Sequence, residues 1–179
     1  MPNFRTVRFG DLEYRDEDVI HLPEGLVGMP VLRNWLILEM GDDLPMKWFQ
    51  SLDRGDFGFP VSQAYLFHDE YEFALGTPTR GRLGNRNPED IVTLIITTIH
   101  TGGDKVTGNL LAPLVIDTET RRGVQLTLDD GTYSIRQEIN YFKFGLAVTT
   151  ETAEDGQTVQ DTADALAANR EQSLEPAGV

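Results

Sequence analysis

The chain has no cysteine. That absence removes disulfides, thiolate metal sites and cysteine nucleophiles together, and it fits a reducing compartment. Histidine is nearly as scarce, and His21, His68 and His100 fall on separate predicted elements without the short spacing that brings two imidazoles to one metal. No apolar run approaches the roughly 18 residues of a membrane span. The start, MPNFRTVRFGDLEYRD, lacks the apolar centre of a signal peptide, so a cytoplasmic location is expected. Positive charge is also short: 15 Lys and Arg stand against 29 Asp and Glu, for a formal charge of −14. An acidic surface repels phosphate backbones and anionic lipid, which argues against direct nucleic-acid binding and membrane adsorption and favours a basic protein partner. Glycine-rich phosphate loops and nucleophile elbows are missing as well. Adjacent acids at Asp42-Asp43, Asp69-Glu70 and Asp129-Asp130 sit at expected turns, where solvated carboxylates need no catalytic explanation. Neither a catalytic residue nor a cofactor or metal site is expected.

What remains is an ordinary globular composition of 179 residues, enough for one core. Residues 1–148 read as that domain. From 149 onward large apolar residues almost vanish, and residues 151–179 hold seven acidic residues against the single Arg170. Such a segment buries too little surface to offset its ordering entropy, so residues 149–179 are expected to form a disordered acidic tail.

The domain is organised around Lys47 to Val61, KWFQSLDRGDFGFPV, where Trp48, Phe49, Phe57 and Phe59 surround the polar turn Asp53-Arg54-Gly55-Asp56. Trp48, Phe49 and Leu52 have helical spacing, whereas Phe57, Phe59 and Val61 alternate, which predicts a short helix, a turn and a strand. Pro60 cannot donate to a ladder and marks an edge or a bulge. Trp48, Leu52 and Phe59 are expected inside, with Gln50 to Asp56 as an exposed rim. Earlier, Arg5 to Phe9 and Asp18 to Leu22 are strand candidates, residues 21–30 form a packed loop rich in Pro and Gly, and Asn34 to Met40 is a strand. Ala64 to His68 and Tyr71 to Leu75 suggest a hairpin, and Gly76 to Asp90 a long polar loop. Ile91 to Ile99, IVTLIITTI, is β-branched and apolar on both parities, as expected of a central strand covered on both faces. Its partner, Val106 to Asp117, must kink at Gly108-Asn109 and at Pro113. Val124 to Leu128 and Tyr133 to Ile139 alternate around a turn at Asp129-Asp130-Gly131, which suggests another hairpin. No long amphipathic helix separates these strands. The expected fold is all-β, mostly antiparallel, a closed or nearly closed β-barrel-like domain with short helical segments.

Four patches, in order and spacing, resemble the family of the flagellar assembly factor FliW. They are Ile20-His21-Leu22-Pro23-Glu24-Gly25-Leu26-Val27-Gly28, then Trp48 to Asp53 with Phe59-Pro60-Val61, then Asn109 to Ile116, and finally Arg122 to Gln125 ahead of Tyr133 to Arg136. The resemblance spans about Val7 to Ile139. It implies a non-enzymatic cytoplasmic barrel that binds the RNA-binding translational repressor CsrA, relieving repression of flagellin messenger RNA, and that binds flagellin itself, so that synthesis follows export. The acidic charge agrees independently, since a repressor that grips RNA carries basic surface. The chain departs from the family pattern at Leu22, at Gly28-Met29-Pro30 and at Asp53-Arg54-Gly55, and the last two departures alter loop charge. The expected partner surface comprises Pro23, Glu24, Gly25 and Leu26 with Gln50, Ser51 and Asp53, supported by Asn109 and Pro113. The competing reading is a small-molecule-binding or enzymatic β-barrel, which requires a polar interior or mouth.

Overall fold

The computed structural model describes residues 1–41, 44–84, 87–101, 105–129 and 131–140. The expected acidic tail, and the end of the expected 1–148 domain, lie outside the described residues. Among the described residues the strands are β1 (Asn3–Thr6), β2 (Gly10–Glu13), β3 (Ile20–His21), β4 (Asn34–Glu39), β5 (Met46–Ser51), β6 (Gly58–Gln63), β7 (Ile91–Ile99), β8 (Val106–Gly108), β9 (Leu114–Asp117), β10 (Arg122–Gln125) and β11 (Gln137–Glu138), with one α-helix, α1 (Thr77–Leu83).

β1 and β2 form a separate hairpin. The other strands make one sheet in the order β11-β8-β7-β6-β5-β4-β3-β10-β9, and β9 also pairs with β7, so the sheet returns on itself as a barrel. Among the described residues every pairing is antiparallel except β10 with β3, which meet in parallel at the single pair Arg122 and His21. Closure is thinnest there. The mostly antiparallel, barrel-like architecture is thus as expected.

β7 is the spine. Its first half pairs with β9, Leu94 to Ile96 pair with β6, and Thr97 to Ile99 pair with β8. β8 and β9 are one strand interrupted: between the pairs Thr97 with Gly108 and Leu94 with Leu114, two β7 residues face the five residues Asn109 to Pro113. The surplus bulges out at the two positions the sequence marks as kinks. Pro60 is also accommodated as expected, because β7 pairs with β6 only from Val61 onward and asks no donor of the proline.

The barrel interior is apolar. Ile20, Trp35, Phe49, Val61, Leu94, Leu114 and Ile116 form its buried cluster, joined by Phe57 and Phe59. Trp35 stacks on Phe49 with ring centroids 4.6 Å apart and planes 3° from parallel, a contact worth about 0.5–1.5 kcal/mol beyond burial. Alternate residues point outward into two further clusters. Ile95, Met46, Leu66, Phe67, Val106 and Leu110 make one; Val115 and Val124 pack with Leu83 of α1 in the other. Strands covered on both faces are the rule here, which explains why β7 is apolar on both parities.

Four expectations of secondary structure fail. The predicted helix at Trp48 to Leu52 is strand β5: Phe49 enters the barrel, while Trp48, on the other face, is covered by the β1–β2 loop through Phe9 and Arg8. Residues 64–75 are not a hairpin, because Ala64–Leu66 form a 3-10 turn and the chain then runs without ladder partners. The polar loop 76–90 contains α1, with Pro in its first turn and Gly84 in the left-handed conformation at φ 78° beyond its end. The described residues between 122 and 139 do not pair with each other. β10 and Leu126 and Leu128 run along β9 and the bulge, whereas β11 pairs with β8.

Candidate functional site

The loop between β3 and β4 is closed on itself by backbone hydrogen bonds. Leu22 N–H donates to Arg33 O at 2.8 Å, closing its base, and Leu26 and Met29 exchange backbone hydrogen bonds of 3.2 and 2.8 Å. Gly25 sits at φ +66°, and a Cβ there would lie 2.6 Å from Met29 O and 2.7 Å from Pro30. Only glycine fits. Leu26 and Gly25 are buried, Pro23 is half-buried and Glu24 is exposed. Glu24 pairs with Arg82 of α1 at 3.0 Å.

Gln50 and Ser51, expected on an exposed rim, are 1 % and 0 % exposed. The reason is local hydrogen bonding. Gln50 Oε1 accepts from the Trp48 indole N–H at 3.1 Å, and its Nε2 donates to the carbonyls of Ser51 and Phe57, each at 3.0 Å. Ser51 Oγ accepts from the backbone N–H groups of Asp53 and Arg54 at 3.1 and 3.0 Å. Both side chains are therefore spent on shaping the turn between β5 and β6. Of the three residues expected inside the barrel, Trp48 lies outside it, while Leu52 and Phe59 are half-buried. The outer surface of the turn consists of Asp53, Arg54 and Asp56.

Asp53 ties this turn to the base of the loop. Its Oδ2 accepts from the backbone N–H groups of Arg33 and Asn34, and its Oδ1 accepts from the Asn34 side chain at 2.9 Å. Partial burial pushes its carboxyl up, but the backbone and side-chain hydrogen bonds from Asn34, that from Arg33 and the nearby His21 together hold it below the ordinary aspartate value. The loop is also tied to the bulge. Gln125 Oε1 accepts from Val27 N–H at 2.8 Å and its Nε2 donates to Ala112 O at 3.3 Å. Asn109 is half-buried, donates its backbone N–H to Ile96 O at 2.9 Å, and leaves its buried Oδ1 without a hydrogen-bond partner. Pro113 is buried.

Asn34 thus ties the β5–β6 turn to the β3–β4 loop and Gln125 ties that loop to the bulge at Ala112, two connectors that sequence reading passed over, whereas Asn109 meets β7 at Ile96. Nothing in their spacing distinguishes them from other polar strand residues. The same loop exposes two apolar side chains that were also missed, Val27 at 65 % and Val31 at 76 %.

The FliW protein family model matches residues 3–139, from β1 to just past β11. This chain belongs to the FliW family. Among its relatives, the flagellar assembly factor FliW of Caldanaerobacter subterraneus subsp. tengcongensis is 35 % identical over 75 % of this chain and 90 % of its own length. That of Syntrophus aciditrophicus is 33 % identical over 75 % and 85 %. A solved structure described as the crystal structure of the flagellar assembly factor FliW superposes with a TM-score of 0.71 at 25 % identity, over 76 % of this chain and 96 % of that one. The FliW match takes in the loop, the turn and the bulge, that is, every element of the candidate site. Among the described residues no helix is long and apolar enough to cross a membrane.

Proposed function

We propose that this chain is a non-enzymatic flagellar assembly factor of the cytoplasm that binds a CsrA-type RNA-binding repressor and flagellin, and so couples flagellin synthesis to export. The observation that carries the reading is family membership over residues 3–139, with relatives named flagellar assembly factors. The charge of −14 supports it, because the surface of a protein that grips RNA is basic. The interior filled by Trp35, Phe49, Val61 and Leu94 speaks against the alternative of a ligand-binding or enzymatic barrel, which needs polar groups converging on a cavity.

The proposed partner surface is the loop around Pro23 to Leu26 with the turn after Gln50. Its contact groups are Glu24, Val27, Asp53 and Asp56, while Gly25, Leu26, Gln50, Ser51, Asn109 and Pro113 hold its shape. A competition measurement tests the function: purified flagellin should displace a CsrA-type repressor from this protein. Failure of either protein to bind the full chain overturns the reading. For the surface, Val27→Asp should weaken binding of at least one partner without loss of fold. Unchanged affinity for both moves the interface elsewhere.

A further inference from the structure

For most of its length β4 is paired along one side only. Leu22 N–H donates to Arg33 O and Leu52 N–H donates to Asn34 O, each at 2.8 Å. Backbone groups alternate sides along an antiparallel strand, so Trp35, Ile37 and Glu39 turn theirs toward β3, and Leu36 and Leu38 toward β5. β3 supplies a partner for Trp35, which stands opposite Ile20, and goes no further. Ahead of Ile20 the chain leaves the ladder as a 3-10 turn, Asp16–Asp18, in which Asp18 N–H donates to Arg15 O at 3.0 Å and Val19 N–H to Asp16 O at 3.3 Å. Among the described residues no hydrogen bond reaches the backbone of Ile37 or Glu39. Ile37 is half-buried and Glu39 is exposed. Two N–H and two C=O groups are therefore left in a row on the rim of a barrel, where such groups are ordinarily paired or covered.

We infer that this edge of β4 is the docking site of an extended segment of a partner polypeptide, basic and apolar at alternate positions, which adds to β4 as a strand in line with β3. Main-chain hydrogen bonds to Ile37 and Glu39 hold it, as in other strand additions. The neighbouring side chains set its composition. Ile37 packs against the barrel cluster, so Leu36 and Leu38 stand on the outer face, and Leu38 is only half-buried. An apolar side chain on the incoming strand covers it. The charge around the edge is acidic: Asp16, Glu17, Asp18 and Glu39 border it, and the bases there, Arg15, Lys47 and Arg121, already act on Glu17, Asp18 and Glu39. A second copy would bring a further charge of −14 to the same place, whereas a basic segment is drawn to it. Leu38 lies about 13 Å along β4 from Asn34, so this surface is separate from the loop and turn that Asn34 joins. The contact does not rest on the proposed function.

Hydrogen exchange in the full chain tests both the open edge and its occupant. Without a partner, the amides of Ile37 and Glu39 should exchange at least about tenfold faster than those of Leu36 and Leu38, which face β5. The peptide acetyl-Lys-Val-Lys-Val-Lys-Val-amide should slow Ile37 and Glu39 by about tenfold or more and leave Ile95 unchanged. The same peptide N-methylated throughout, or with Glu in place of Lys, should have no effect. Glu39→Pro removes one outward N–H without touching the ladder with β5. In that variant the peptide should no longer protect Ile37, while Ile95 keeps its protection. Protection of Ile37 and Glu39 already present in dilute protein means that the edge is filled from within, and protection that rises with protein concentration alone assigns it to a second copy. Either of these, no response to the basic peptide, or an equal response to the N-methylated or the acidic one overturns the proposal.

Discussion

Gln50 shows how a single polar side chain decides a local shape. With one acceptor and two donors it satisfies the Trp48 indole and two carbonyls of the β5–β6 turn, while itself 1 % exposed. Removing it takes this partner from the Trp48 indole N–H and the Ser51 carbonyl, while Phe57 O keeps the Ser51 N–H at 3.0 Å, and each lost partner costs about 1–3 kcal/mol. Gln50→Ala should therefore lower unfolding free energy by about 2–4 kcal/mol in urea denaturation. A loss under about 1 kcal/mol would place Gln50 on the surface instead. Gly25 is under a different constraint, since its φ of +66° and the crowding by Met29 and Pro30 act together. Asp53 adds a pH dependence whose sign follows from its lowered carboxyl. A group bound more tightly in its ionised form contributes stability that is present above its ordinary value near pH 4 and is lost as pH falls through the lower folded value. Asp53→Asn should accordingly be less stable than the parent at pH 7, and the gap should shrink as pH falls below about 4. A gap that is constant with pH would show that shape, not charge, makes the contact.

At the scale of elements, the β1–β2 hairpin is a clasp laid over the barrel's outer face. Val7 N–H donates to Gly55 O at 2.9 Å, Arg8 sits 4.4 Å over the Trp48 ring, and a Cβ on Gly55 would collide with Arg5 O. Gly55→Ala should push the clasp off while the barrel persists. Hydrogen exchange reads this directly: protection of Val7 should fall by at least about tenfold, with that of Ile95 unchanged, since local opening is independent of global unfolding. Retained protection at Val7 would mean that the hairpin is held elsewhere. This clasp also explains what sequence reading missed. β4, β7 and the kinks at Gly108-Asn109 and Pro113 were legible because apolar and β-branched runs, glycine and proline act locally. β5 was not, because the hairpin covers Trp48 while the barrel takes Phe49, and burial on both faces erases the alternation that marks a strand. α1 buries only Leu83 and is seven residues long, too short for a period to register. The loops proposed as the partner surface were marked in the sequence through the family resemblance. Which of its residues face solvent was not, because the inward turn of Gln50 and Ser51 depends on carbonyls supplied by the folded turn.

At the scale of the whole molecule, charge and packing divide the work of recognition. An interior closed by stacked rings leaves the outside as the surface for the proposed partners, on a chain of formal charge −14. Long-range attraction of this kind acts on encounter more than on the docked complex, and it is screened over about 10 Å at 0.1 M salt. Association with a basic repressor should therefore slow by about 10-fold or more as salt rises from about 0.05 to about 0.5 M, with dissociation changing little, when the rates are followed by stopped-flow fluorescence of Trp48. An association rate indifferent to salt in the parent would remove electrostatics from recognition and leave the apolar Val27 and Val31 to carry it.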